Sequence, residues 1–225
     1  MKKSILFFCI AAIAAFASCE KNSDTTFDLA VDAVDIKLDN VSGSTKVNVW
    51  STKHWTARFK DPVDWASLDR IEGEGNSAIT FSWAQNVDIE RQVKLIFDIP
   101  GKSDTVVFTQ KGAFDPSMSF TGSKTVEASA TSVEMGFKTN LQLHLDEIEN
   151  EVSYLKYLFD DEDDEDVAEP QGGWVKGVSV NEESVAVTLE PNTGDRPRKA
   201  RITLNFTPVT GSAKTTYAEI TQMNP

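Results

Sequence analysis

Cysteine is nearly missing from this chain, with two in 225 residues. Cys9 lies inside an apolar run and Cys19 just beyond it, so a chain cleaved before Cys19 keeps one thiol and forms no internal disulfide. Histidine is as scarce: His54 and His144 stand far apart, which excludes a paired-histidine zinc helix. There is no Gly-x-Ser-x-Gly elbow and no phosphate-cradling glycine loop. Acids are so numerous that a glycosidase-like carboxylate pair could be drawn almost anywhere, which empties that signal of content. Basic residues are outnumbered, 22 Lys plus Arg against 35 Asp plus Glu, for a net charge of -13 that repels phosphate backbones. No apolar stretch reaches the roughly 20 residues of a membrane-spanning helix. The expectation is a non-enzyme with no catalytic residue, no metal site, no cofactor and no nucleic-acid partner.

The N-terminus reads Met1-Lys2-Lys3-Ser4, then thirteen apolar residues from Ile5 to Ala17, then Ser18-Cys19. A basic start, a short apolar middle and small residues at its end describe a secretory signal over residues 1–18. Phe16-Ala17-Ser18-Cys19 resembles a bacterial lipobox, which implies that Cys19 becomes the first mature residue and carries lipid. Each buried methylene then contributes about 0.8 kcal/mol to membrane retention. Residues 19–26 are polar and unpatterned, and read as a lipidated flexible tether. They are similar to the acidic surface-export signals of Bacteroidetes lipoproteins, with Lys21 interrupting the acids. The expected location is the outer membrane, lipid-anchored, facing the cell surface or the periplasm. Loss of residues 1–18 removes Lys2 and Lys3 and no acid, leaving 20 bases against 35 acids, or -15.

Two cassettes follow one another. The first runs Trp65, Asn86, Arg91, Thr109-Gln110, and the second runs Trp174, Asn192, Arg198, Thr221-Gln222, at nearly equal intervals. Self-similarity at a fixed interval predicts a duplicated domain. The periodicity is that of strands: Lys46 to Val49, Ile79 to Trp83 and Val93 to Ile99 alternate apolar and polar, as do Val133 to Phe137, Val185 to Leu189 and Ala200 to Phe206. Turn formers separate them at Asn40 to Ser44, Glu72 to Asn76 and Pro100 to Asp104. The fold class expected is all-β, two tandem immunoglobulin-like β-sandwiches over 27–112 and 113–225, joined by a short linker at Gly112 to Pro116. Between His144 and Gly173 the halves diverge. Leu145, Ile148, Val152, Leu155 and Phe159 fall at three- and four-residue steps, which predicts a short helix inserted in the second sandwich over 145–159. A strand from Val152 to Phe159 is the competing assignment.

Gly43-Ser44, Val47 and Val49, Trp55, Asp64-Trp65, Asn86, Arg91 with Val93 to Phe97, and Thr109-Gln110 stand in the order of the BACON family, and the first half resembles that family throughout. The second half resembles a divergent copy: Thr139-Asn140 closes a strand, Leu143 replaces the first Trp, Trp174 is kept, and Asn192 to Arg198 is one residue longer than Asn86 to Arg91. The resemblance implies Bacteroidetes-associated, carbohydrate-binding sandwich modules. The two copies cover nearly all of the expected mature chain.

Five tryptophans are the sugar-stacking candidates, since an aromatic face covers the C–H face of a pyranose. Trp83 continues a core-facing alternation, and Trp55, Trp65 and Trp174 match structural positions of the family. Trp50 is out of phase with Val47 and Val49 and sits beside Ser51, Thr52, Lys53 and His54, so Trp50 with His54 forms the candidate ligand-binding pair. Arg91, Arg198, Gln110 and Gln222 read as architecture, a guanidinium tying loop carbonyls and an amide closing a sheet edge. The acidic run 160–166 lacks the glycine and spaced ligands of a calcium loop and reads as a solvated loop. Two functions stay open: recognition of a glycan or glycoprotein, and a spacer or assembly subunit of a surface complex.

Overall fold

The computed structural model describes residues 28–156 and 170–225. The signal, Cys19, the tether, Phe159 and the acidic run lie outside the described residues. The first module contains β1 (Leu29–Val31), β2 (Asp35–Leu38), β3 (Gly43–Ser51), β4 (His54–Phe59), β5 (Ala66–Leu68), β6 (Glu72–Glu74), β7 (Ser77–Trp83), β8 (Arg91–Ile99) and β9 (Lys102–Gln110). They form two sheets, ordered β1-β3-β7-β5 and β2-β9-β8-β4-β6. Alternation decides which side chains meet between them. Val47, Val49, Ile79 and Phe81 point inward from one sheet, and Trp55, Leu95, Phe97 and Phe108 from the other. Phe81 stacks on Phe108 with centroids 3.7 Å apart, while Trp55 meets Phe97 edge-on at 5.8 Å.

The second module contains β10 (Met118–Phe120), β11 (Lys124–Val126), β12 (Ser132–Thr139), a 3-10 helix (Gln142–Glu147), β13 (Glu149–Leu155), β14 (Val175–Val180), β15 (Ser184–Leu189), β16 (Arg198–Phe206) and β17 (Lys214–Gln222). Its sheets run β10-β12-β15-β14 and β11-β17-β16-β13. Strand for strand this is the first module again, lacking a counterpart of β6 among the described residues. In both, the first two strands divide between the sheets, and the second of them lies parallel to the last strand, β2 on β9 and β11 on β17. Four strands facing a sheet built around the final two is the immunoglobulin-like sandwich.

Three local expectations are corrected. The 145–159 stripe is not one helix: the 3-10 helix ends at Glu147, and Glu149–Leu155 pairs along its whole length with β16, Glu149 opposite Asn205 through Leu155 opposite Lys199. Ile148 and Val152 are four residues apart, a spacing that serves a period of 2 as well as 3.6, and the open edge of β16 settles it. Glu72 to Asn76 is not all turn, because Glu72–Glu74 is the edge strand β6. Gly73 lies opposite Trp55, and a Cβ there would stand 2.7 Å from the indole Cε2. Leu143 does not take the place of Trp55, being 79% exposed on the 3-10 helix. Extending the β13–β16 register by one residue puts buried Ile148 in that place.

Candidate functional site: two arginine locks and the junction between the modules

Each cassette closes on itself. Arg91 opens β8 and donates from Nε to Gln110 Oε1 at 2.8 Å and from Nη2 to the carbonyls of Ala84 and Gln85 at 3.1 and 3.3 Å. Its guanidinium carbon lies 4.3 Å from the centroid of the Trp65 ring. Gln110 is fully buried and donates to the carbonyls of Asp39 and Ala84 at 3.2 and 2.9 Å. Asn86 donates to the carbonyls of Ile89 and Lys111 at 2.7 and 3.2 Å. The second module repeats every part. Arg198 bonds Gln222 from Nε and Nη2 at 3.0 and 2.8 Å and lies 4.7 Å from the Trp174 ring. Gln222 donates to the carbonyls of Ala128 and Ala130, both at 3.0 Å, and Asn192 to those of Arg196 and Met223 at 2.8 and 3.0 Å. Burial pushes both arginine pKa values below the ordinary guanidinium value, opposed by Asp64 and Asp88 at Arg91 and chiefly by Glu190 at Arg198. These residues hold loops to sheet edges.

The two modules meet through side chains that no periodicity announces. Ile89 follows the Asn86 turn of the first module, yet its buried side chain, 6% exposed, belongs to the core cluster of the second with Leu141, Ile148 and Phe206. Next to it Asp88 accepts from His144 Nε2 at 3.0 Å, and the other imidazole nitrogen meets Glu147 at 2.8 Å. The linker presses on the same turn: Ala113 N–H donates to the Asp88 carbonyl at 2.7 Å. A Cβ on Gly112 would lie 2.6 Å from Glu90 N and 2.7 Å from Ile89 C, so only glycine permits the approach. On the other side Thr109 of β9 and the tip of the β16–β17 hairpin line one groove. Thr109 is 1% exposed, although alternation turns it away from the core, while its counterpart Thr221 is half-buried.

Burial alone would lower the His144 pKa, but hydrogen bonds and charge from Glu147 and Asp88 outweigh it and raise the value above the ordinary imidazole range. The raised folded value fixes the sign. The stabilisation is full below the unfolded imidazole pKa of about 6.5 and is lost as pH rises through the higher folded value. Thermal unfolding between pH 6 and pH 9 at constant ionic strength should show the melting temperature falling over that window, with a flatter profile for His144→Gln. An equal slope in the variant would remove His144 from the account.

Trp50 and His54, the candidate pair, stand on strands of different sheets. Trp50 is 39% exposed on the outer face of β3, opposite Ala30, as its phase implies. His54 opens β4 in the other sheet, exposed between Glu72 at 3.6 Å and Glu74 at 3.5 Å. Of the remaining tryptophans, Trp55 and Trp174 are fully buried and Trp65 and Trp83 partly so. Sequence reasoning passed over Phe114, on the linker, and Tyr217, which is 58% exposed with the Arg201 guanidinium carbon 4.4 Å from its ring centroid. Phe114 lacks a periodic signature that marks it as exposed, whereas Tyr217 stands out of phase with Ala218, Ile220 and Gln222. A groove of about 650 Å³ opens at the junction, lined by the β2–β9 edge, the linker and the β16–β17 hairpin tip. Among the described residues no group of three or more His, Cys, Asp or Glu could hold a metal, and no helix is long and apolar enough to cross a membrane.

Residues 55–111 and 164–222 match the BACON family, described as a "Putative binding domain, N-terminal". No curated protein matches the chain. Among solved structures it is similar to a Bacteroides ovatus GH5 xyloglucanase in complex with a XXXG heptasaccharide, at 15% identity and a TM-score of 0.35, over 37% of this chain and 19% of that one. It is also similar to a protein from Bacteroides thetaiotaomicron solved by NMR, at 15% identity and a TM-score of 0.29, over 42% and 96% of the two chains. Titin domains I67-I69 align at 14% identity and a TM-score of 0.31, over 88% of this chain and 66% of that one.

Proposed function

We propose that this chain, which belongs to the BACON family in both its halves, is a non-catalytic envelope protein that presents two coupled sandwiches to a carbohydrate or glycoprotein. The observation that supports the reading is the junction: Ile89, Gly112 and the Asp88–His144 contact fix one module against the other. A fixed pair offers a ligand one preorganised surface, whereas freely jointed modules would lose freedom on binding. Lipid on Cys19 would hold that surface at the outer membrane. The test is a glycan array probed with the detergent-solubilised full-length chain, expected to retain at least one saccharide class, together with Cys19→Ser, expected to move the chain from the membrane to the soluble fraction. Silence across the array would discard the carbohydrate reading in favour of a spacer that holds a partner away from the membrane. A Cys19→Ser chain still in the membrane fraction would discard the anchor.

A further inference from the structure

The groove at the junction has the volume of a small-ligand site, about 650 Å³, and lies between domains, where such sites concentrate. Three lysines line it, Lys37 from β2, Lys111 just after β9 and Lys214 from β17. Lys37 has an ion-pair contact with Asp35 at 3.8 Å, while Lys111 and Lys214 have none among the described residues. Asp39, Glu90 and Asp115 line the same groove, so its formal charge balances and a polyanion finds no net attraction there. Glu90 Oε1 is buried and accepts no hydrogen bond among the described residues. Phe114, 36% exposed, stands on the same wall.

From this placement we propose that the junction groove binds a neutral saccharide, Lys111 and Lys214 donating to sugar oxygens and Phe114 covering a C–H face. The proposal rests on the carbohydrate reading and gives it a place. Neither module contains the groove alone, since the β2–β9 edge and the β16–β17 hairpin form opposite walls. The coupling at Ile89 is then what assembles the site.

The experiment probes the full-length chain and its Lys111→Ala, Phe114→Ala, Tyr217→Ala and Trp50→Ala variants on an array carrying neutral, amino and acidic oligosaccharides. Lys111→Ala truncates the side chain beyond Cβ but breaks no hydrogen bond that holds the fold, because the structural bonds of residue 111 come from its backbone. A matching melting temperature for it therefore separates lost binding from lost fold. The expected result is wild-type binding to a neutral saccharide, weakened about tenfold or more by Lys111→Ala and by Phe114→Ala and unchanged by Tyr217→Ala. Binding lost in Trp50→Ala but kept in both groove variants overturns the groove and leaves the carbohydrate reading standing. Binding confined to acidic glycans overturns the neutral ligand. No binding by the wild type overturns the groove together with the reading it rests on.

Discussion

Replacing Ile89 with Asp should split the unfolding of this chain in two. Ile89 is supplied by the first module and buried in the core of the second, so the side chain acts as a peg between cores. Its truncation alone falls in the range of about 2 to 5 kcal/mol measured for large-to-small core changes. An aspartate adds an unpaired buried carboxylate beside Asp88 and adds to that cost. Urea unfolding followed by tryptophan fluorescence should show one transition for the wild type and two for Ile89→Asp. Small-angle scattering should report a longer maximum dimension as the modules swing apart. Ile89→Val, which removes one methylene, should cost about 1 kcal/mol and keep the single transition. A single transition with unchanged dimensions in Ile89→Asp would show that the linker and the hairpin tip hold the pair without this side chain.

The second large effect is expected within a module. Gln110→Ala removes a fully buried amide that receives Arg91 and supplies the carbonyls of Asp39 and Ala84. Each buried partner left unsatisfied costs about 1 to 3 kcal/mol, and the cavity adds to it. The sum is at least about 3 kcal/mol, a fall in melting temperature of about 6 to 12 °C for a chain of this size. Gln222→Ala should cost a similar amount in the second module, because Arg198 and the carbonyls of Ala128 and Ala130 repeat the arrangement. Arg91→Lys should be intermediate: an ammonium keeps the charge but cannot bond Gln110, reach two loop carbonyls and lie flat on Trp65 together. Calorimetry on the set checks the order. A melting temperature of Gln110→Ala within 2 °C of wild type would mean that the strand pairing closes the module without the lock.

Much of this was visible in the chain before any coordinates. The Trp, Asn, Arg and Gln landmarks repeat because each is one part of a lock, whose Arg and Gln stay opposite each other even where the loops between the parts differ in length. Arg91 and Gln110 fall opposite each other in the β8–β9 register, as Arg198 and Gln222 do in β16–β17. The phase of Trp50 also placed it outward, since a side chain between Val49 and Ser51 has no other face to occupy. Where the reading went astray, one pattern served two structures. The four-residue step from Ile148 to Val152 suits a helix and a strand alike, and the glycine at 73 that looked like a turn is the space an indole needs inside an edge strand.

What the sequence determined by itself is local: the two sandwiches, their repeated closures and the strand faces, all of which depend on neighbours along a strand or at a constant interval. What only the tertiary structure decided is how the modules join. Ile89 lies in a turn without alternation, His144 and Asp88 are 56 residues apart, and Thr109 shares a groove with a hairpin tip about a hundred residues downstream. No period links such residues, because their contact is created by the docking of two finished surfaces, and the groove they enclose exists only once that docking is complete.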